Sequence, residues 1–177
     1  MAQLRRLDSL SARALEFTIL TAARTNETLG AKWSEFNLEE RIWTVPADRM
    51  KMGKEHRVPL CDRAVAILKA LPRHGNRVFV LSDMAMLQCL RGLRPGLTVH
   101  GFRSSFMDWA HEQTAFAKVA IDQALAHSIG DKVEASYRRG DLFEKRKRLM
   151  EAWGEDCSSK PIALGATVTA MRKLVDA

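Results

Sequence analysis

The chain is short of the residues that would build several familiar kinds of protein. It has only three cysteines in 177 residues, Cys61, Cys89 and Cys157, odd in number, far apart and without a C-x-x-C pair. Neither a disulfide framework nor a zinc site is expected from them; they read as reduced thiols. Its five prolines and ten glycines are scattered, which leaves no flexible linker, low-complexity tract or internal repeat. No apolar run approaches the roughly 20 residues that a membrane-spanning helix needs. The N-terminal Met1-Ala-Gln-Leu-Arg-Arg-Leu-Asp8 has arginines but no apolar stretch behind them, unlike a secretory signal, so a cytoplasmic location is expected. Acidic residues are also scarce, 21 against 28 lysines and arginines, for a net charge of +7 and a pI of about 9.7. That surplus is the electrostatic footprint of a polyanionic partner. There is one tyrosine in the chain, Tyr137.

What is present in quantity is helical periodicity. Ser11 is placed to cap a helix whose apolar positions Ala14, Leu15, Phe17, Ile19 and Leu20 run to about Ala23. A short second helix follows, capped by Thr25 or Asn26 and ending near Trp33. Between Phe36 and Leu60 the pattern changes to β-branched and aromatic runs, Ile42-Trp-Thr-Val45 and Arg57-Val-Pro-Leu60, bounded by Pro46 and Lys51-Met-Gly53. These predict a small antiparallel sheet with its tight turn near Gly53. Helices are then expected over residues 62–71, 82–93, 100–112, 115–126, 132–139 and 142–153. The fold class is mostly α with a small antiparallel β-sheet. After Trp153 a polar stretch leads into Leu164, Val168, Met171 and Val175 at helical spacing, a stripe that fits a short helix packed on its own chain or on a neighbouring protomer.

A few polar side chains stand out by spacing. Thr21-Ala-Ala-Arg24-Thr-Asn-Glu27 sets an arginine at a helix boundary with a carboxylate three residues on. His100-Gly-Phe-Arg103 opens a helix, so His100 and Arg103 fall one turn apart and can face a single anion. The same H-x-x-R spacing recurs at His74-Gly-Asn-Arg77, but in a turn after Pro72 that leads into the strand-like Val78-Phe-Val80. His127 closes the pattern Ile121-Asp-Gln-Ala-Leu-Ala-His127, and Tyr137 follows ten positions later in Ala135-Ser-Tyr-Arg-Arg139. His56 and His111 read as surface or half-buried imidazoles, and Trp109 as a core residue.

Taken in order, Thr21-Ala-Ala-Arg24-Thr-Asn-Glu27, Arg49-Met-Lys51-Met-Gly53-Lys-Glu-His-Arg-Val-Pro-Leu60, Val99-His100-Gly-Phe-Arg103-Ser-Ser-Phe, Leu125-Ala-His127 and Ser136-Tyr137-Arg138 resemble the motifs of the tyrosine recombinases, or phage integrases, most closely the satellite-phage and genomic-island type. The resemblance spans about residues 12–153 and implies the integrase catalytic-domain fold. It implies that Tyr137 attacks a DNA phosphate to give a 3′-phosphotyrosine, which a free 5′ hydroxyl of a partner strand then resolves, with no cofactor and no metal. A phenol of pKa near 10 is ionised only about one part in a thousand at pH 7, so such a nucleophile needs a proton acceptor and an activated phosphate. His100 is the candidate acceptor. Arg24 and Arg103 would hold the phosphate oxygens with guanidinium forks, and His127 would add a hydrogen bond. The family's sheet-turn lysine, here Lys51 with Lys54 as the alternative, would protonate the departing 5′ oxygen. Glu27 would orient Arg24, unless it is a plain surface carboxylate at a helix start.

The resemblance further implies double-stranded DNA carrying an attachment-type site as the partner, with a homo-tetramer on DNA and a monomer alone. Residues 1–153 would be the catalytic domain and 154–177 a tail, with the family's N-terminal arm- and core-binding domains absent. Lys54, Arg138, Arg139 and the run Lys145-Arg146-Lys147-Arg148 are candidate phosphate contacts, the run reading equally as a solvated basic face. Two other functions fit the same residues: a type IB topoisomerase-like relaxing enzyme, and a non-catalytic DNA-binding remnant of an integrase.

Overall fold

A computed structural model describes residues 1–127 and 142–159. Tyr137, Arg138 and Arg139, the helix expected over 132–139 and the stripe from Leu164 to Val175 lie outside the described residues. Within them run helices α1 (Ala2–Arg5), α2 (Leu10–Thr21) and α3 (Thr25–Leu29), strands β1 (Phe36–Asn37), β2 (Ile42–Val45) and β3 (His56–Pro59), and helices α4 (Asp62–Ala70), α5 (Ala85–Leu93), α6 (Gly101–Glu112), α7 (Lys118–Ala124) and α8 (Phe143–Asp156). The mostly helical class with one small sheet is as expected. No helix among the described residues is long and apolar enough to cross a membrane.

Helix α2 is the axis of the molecule. Ala14, Leu15, Phe17, Ile19 and Leu20 are all buried, and so are the intervening Glu16 and Thr18, because α1, α3, α4, α5 and α8 all pack around it. Its cap is Ser9 rather than Ser11: the Ser9 hydroxyl accepts from the Ala12 amide at 3.2 Å. An N-cap side chain reaches the amides two or three residues ahead, so moving the cap back to Ser9 brings both Leu10 and Ser11 into the helix. On the other side of the core Trp43 stacks on Phe36 at 5.4 Å, and Phe17 meets Trp43 and Phe79. A second aromatic group joins Phe106, Trp109 and Trp153. The Trp153 indole donates to the Ile19 carbonyl at 2.8 Å, which pins α8 to α2.

The sheet has the order β1-β2-β3 and is antiparallel, with Trp43 opposite both Phe36 and Val58. The β2–β3 connection turns at Gly53, which has φ +61°; glycine adopts that left-handed conformation without the clash a Cβ would bring.

Several boundaries differ from expectation. α1 and the two-residue β1 were not anticipated, being too short for periodicity to register. α3 ends at Leu29, with a separate 3₁₀ turn, Trp33–Glu35, before the sheet. The Val78-Phe-Val80 segment is no strand: a lone bridge pairs Arg77 with Lys32, while Val78 and Phe79 are buried as loop residues. α7 is shorter than 115–126 at both ends, and α8 continues to Asp156, so a domain boundary after Trp153 would cut a helix.

Candidate active site

Two helix ends of the same build lie at the site. α2 closes with Ala22 in the left-handed region, φ 49°, where the Ala23 amide donates to the Thr18 carbonyl. α7 closes with Ala126 at φ 48°, where the His127 amide donates to the Asp122 carbonyl at 3.0 Å. In each, an amide reaches back five residues and reverses the chain, a cap that usually falls to glycine. An alanine there costs about 1 kcal/mol of strain. The first turn delivers Arg24 and the second delivers His127, which therefore stands beyond the helix rather than at its end.

Arg103, on α6, joins the two ends. Its Nη1 donates to the Ala22 carbonyl and its Nη2 to the Leu125 carbonyl at 2.7 Å. The residue is only 6% exposed, so two of its five N–H groups hold the backbone and three remain. Burial first, and then the neighbouring Arg24 charge, pull its pKa down to about 10, with Glu27 opposing. Two guanidinium groups held close enough to disturb one another make a place where an anion is favoured.

Arg24 is the N-cap of α3. The Glu27 carboxylate accepts from the Arg24 amide at 2.8 Å and from Arg24 Nη1 at 2.7 Å. Glu27 is buried and Arg24 half-buried, so the carboxylate is no surface group at a helix start. It orients an arginine whose far side is open.

A cleft of about 540 Å³ is lined by Arg24, Lys51, His100, Arg103 and His127, together with Met52, Ser104, Met107, Leu125 and Ala126. Five of the six residues expected to act together thus line one cavity; the sixth, Tyr137, lies outside the described residues. His100 caps α6 one turn before Arg103 and is exposed, while Arg103 is buried beneath. Lys51 comes from the β2–β3 turn; Lys54, in the same turn, is not among the lining residues. The His127 imidazole lies 3.9 Å from the Asp122 carboxylate. Partial burial and the charges of Arg103 and Arg24 lower its pKa, with Asp122 pulling the other way.

The basic run of α8 divides. Consecutive helical residues step about 100° round the axis, so four cannot share a face. Lys145 and Arg148 are exposed, but Arg146 is 2% exposed and donates to the Arg57 carbonyl at 2.6 Å. Arg146 therefore holds the sheet and is not part of an outward phosphate-gripping face. His111 is exposed and Trp109 half-buried. His56 is half-buried at the head of β3, and its pKa falls to about 4 through burial and the charges of Arg146 and Arg103, against Glu27 and a backbone hydrogen bond at Ala124. Sequence reasoning missed this electrostatic link to Arg103 and Glu27, and it missed Ser104 and Met107, which lie one and four residues after Arg103. All three cysteines are free. Among the described residues no three His, Cys, Asp or Glu side chains come together as metal ligands.

Comparison with known proteins identifies the family. The family model described as the phage integrase family matches residues 2–141. The chain is similar to the prophage integrase IntA of Escherichia coli K12, 34% identical over 161 residues, covering 83% of this chain and 39% of that protein. It is similar to the integrase of Enterobacteria phage P4, 28% identical over 170 residues, with 81% and 39% covered. The chain thus spans about two fifths of the length of these curated relatives. Among solved structures, the integrase from mycobacterium phage Brujita superposes with a TM-score of 0.65 at 18% identity, over 85% of this chain and 54% of that one. At that identity the likeness speaks for the fold alone.

Proposed function

The chain belongs to the phage integrase family, the tyrosine recombinases, and on that premise we propose that it carries the DNA-cleaving and rejoining centre of a site-specific recombinase. One observation carries the reading: Arg24, Lys51, His100, Arg103 and His127 line a single cleft. Residues so far apart in sequence come together there with positive charge and proton-transfer groups.

In the proposed reaction the Tyr137 oxygen attacks a phosphodiester phosphorus and passes its proton to His100. The P–O5′ bond breaks and the 5′ oxygen takes a proton from Lys51. Arg24, with its open side, takes the equatorial oxygens as negative charge builds, and buried Arg103 adds a fixed positive potential beneath them. His127 donates the remaining hydrogen bond. The covalent 3′-phosphotyrosine conserves the bond energy, and the incoming 5′ hydroxyl reverses the steps. The partner is double-stranded DNA, held in part through phosphates by Lys54, Lys145, Lys147 and Arg148 and by Arg138 and Arg139. A homo-tetramer would form on paired sites, with the compact unit reaching through α8 and the remaining residues to 177 acting as a tail.

The test is a pool of nicked suicide duplexes, randomised around the nick, with a separate 5′-hydroxyl strand supplied as acceptor. The account expects an SDS-resistant adduct and transfer to the acceptor, both lost in Tyr137→Phe. Binding without any adduct would favour the non-catalytic remnant, and sequence-independent relaxation of supercoiled plasmid by dilute protein would favour the topoisomerase.

A further inference from the structure

Lys51 sits in a turn between two short strands and is itself exposed, yet a general acid must be held within hydrogen-bond reach of one oxygen. Two residues before it stands Arg49, which the reading of the site has not used. Its side chain is 15% exposed. Nη1 donates to the Glu35 carboxylate and Nη2 to the backbone carbonyl of Glu27. Glu35 is fixed in turn by the Trp43 indole, which donates to its other oxygen at 2.9 Å.

The Glu27 carbonyl belongs to the last turn of α3, where helix carbonyls have no amide ahead of them and cations are favoured. The close approach depends on Gly30: a Cβ there would lie 2.9 Å from Arg49 Nη2 and 3.1 Å from the Asn26 carbonyl. Glu27 is thus gripped twice. Arg49 holds its backbone, and its carboxylate holds Arg24.

We propose that Arg49 is a positioning residue: it locks the Lys51 turn to the helix that fixes Arg24, so that the leaving-group acid and the phosphate-binding guanidinium keep one spacing. The proposal rests on the reading of Lys51 as that acid. A guanidinium suits the task because its rigid planar fork fixes the directions of two acceptors relative to one another, whereas lysine's donors rotate on a flexible stem.

The test uses the leaving group. A duplex with sulfur in place of the bridging 5′ oxygen expels a thiolate, whose conjugate acid has a pKa near 8.5, and needs no general acid. Single-turnover adduct formation is followed for the full chain, Arg49→Met, Lys51→Ala and the double variant on both duplexes. Arg49→Met should be roughly 30-fold slow on the oxygen duplex but within about threefold of the parent on the sulfur duplex, as a defect in acid catalysis requires. The double variant should be no slower than Lys51→Ala, since the two act as one unit. Equal loss on both duplexes, multiplying effects, or no loss at all would overturn the proposal. If Arg49→Met does not fold, Glu35→Gln, which weakens the same fork, is read by the same criteria. A parent chain that forms no adduct on either duplex would instead overturn the recombinase reading itself, and this proposal with it.

Discussion

Among the described residues two glutamates, Glu16 and Glu27, are buried and both hold arginines, but to different ends. Glu16 is fully buried in the middle of α2 and accepts from Arg5 at 2.6 Å, Arg13 at 3.1 Å and Arg63 at 2.8 Å. Burial alone would raise its pKa, but the hydrogen bonds and charges of Arg63 and Arg5 outweigh that and hold it below the usual value. Its oxygens are saturated, and none of its arginines lines the cleft. Glu27 is almost as buried, but its carboxylate holds only Arg24, through the backbone amide and one guanidinium nitrogen. The difference separates charge that is used up inside the fold from charge that is left facing the cleft. Glu16 is surrounded by positive charge and ties α1, α2 and α4 together, whereas Glu27 leaves its arginine with an open face toward the cavity.

That contrast can be broken in order of size. Arg24→Gln should slow adduct formation roughly 1000-fold, about 4 kcal/mol, because it removes the proposed phosphate ligand, with a smaller loss of about 1 kcal/mol in thermal unfolding as the buried Glu27 carboxylate loses its guanidinium partner. Glu16→Gln should do the reverse. Removing a buried charge from among partly exposed arginines should cost about 3 kcal/mol of stability in urea melts, with the cleavage rate per folded molecule unchanged. A Glu16→Gln chain that is stable but catalytically slow would erase the distinction. Glu27→Gln should fall between the two, roughly 10-fold slower in cleavage, about 1.4 kcal/mol, by loosening Arg24 without removing it.

His56 does not line the cleft but feels the charges of Arg103 and Glu27, and it makes stability depend on pH. Its native pKa of about 4 lies below the value of 6.5 for an unperturbed imidazole. Between those values the unfolded chain binds the proton and the native chain does not, so stability falls as pH drops. From pH 7 to pH 5 the parent should lose about 2 kcal/mol more than His56→Gln, which cannot take the proton. Equal losses in the two proteins would show that His56 is not held neutral by its surroundings.

Much of this site was legible before any coordinates. Arg24 with Glu27 three residues on, and His100 with Arg103 one turn on, are local spacings that a helix start converts directly into geometry. The small sheet was legible from β-branched runs around Gly53. What escaped depends on approach from elsewhere in the chain. Arg103 holds carbonyls 81 and 22 residues away, and Arg49 reaches back 22 residues to Glu27; no local pattern encodes such partners. Arg146 was misplaced for a related reason, since a run of four basic residues looks uniform in sequence although a helix must turn one of them inward.

Mass spectrometry of the DNA adduct asks whether Tyr137, the nucleophile proposed for this arginine-lined cleft, is the residue that takes the phosphate. After trapping on a suicide duplex and digestion with nuclease and protease, the account predicts a single nucleotide-bearing peptide with the phosphate on the Tyr137 oxygen. A nucleotide on any serine, cysteine or histidine instead, or an undiminished adduct from Tyr137→Phe, would contradict it.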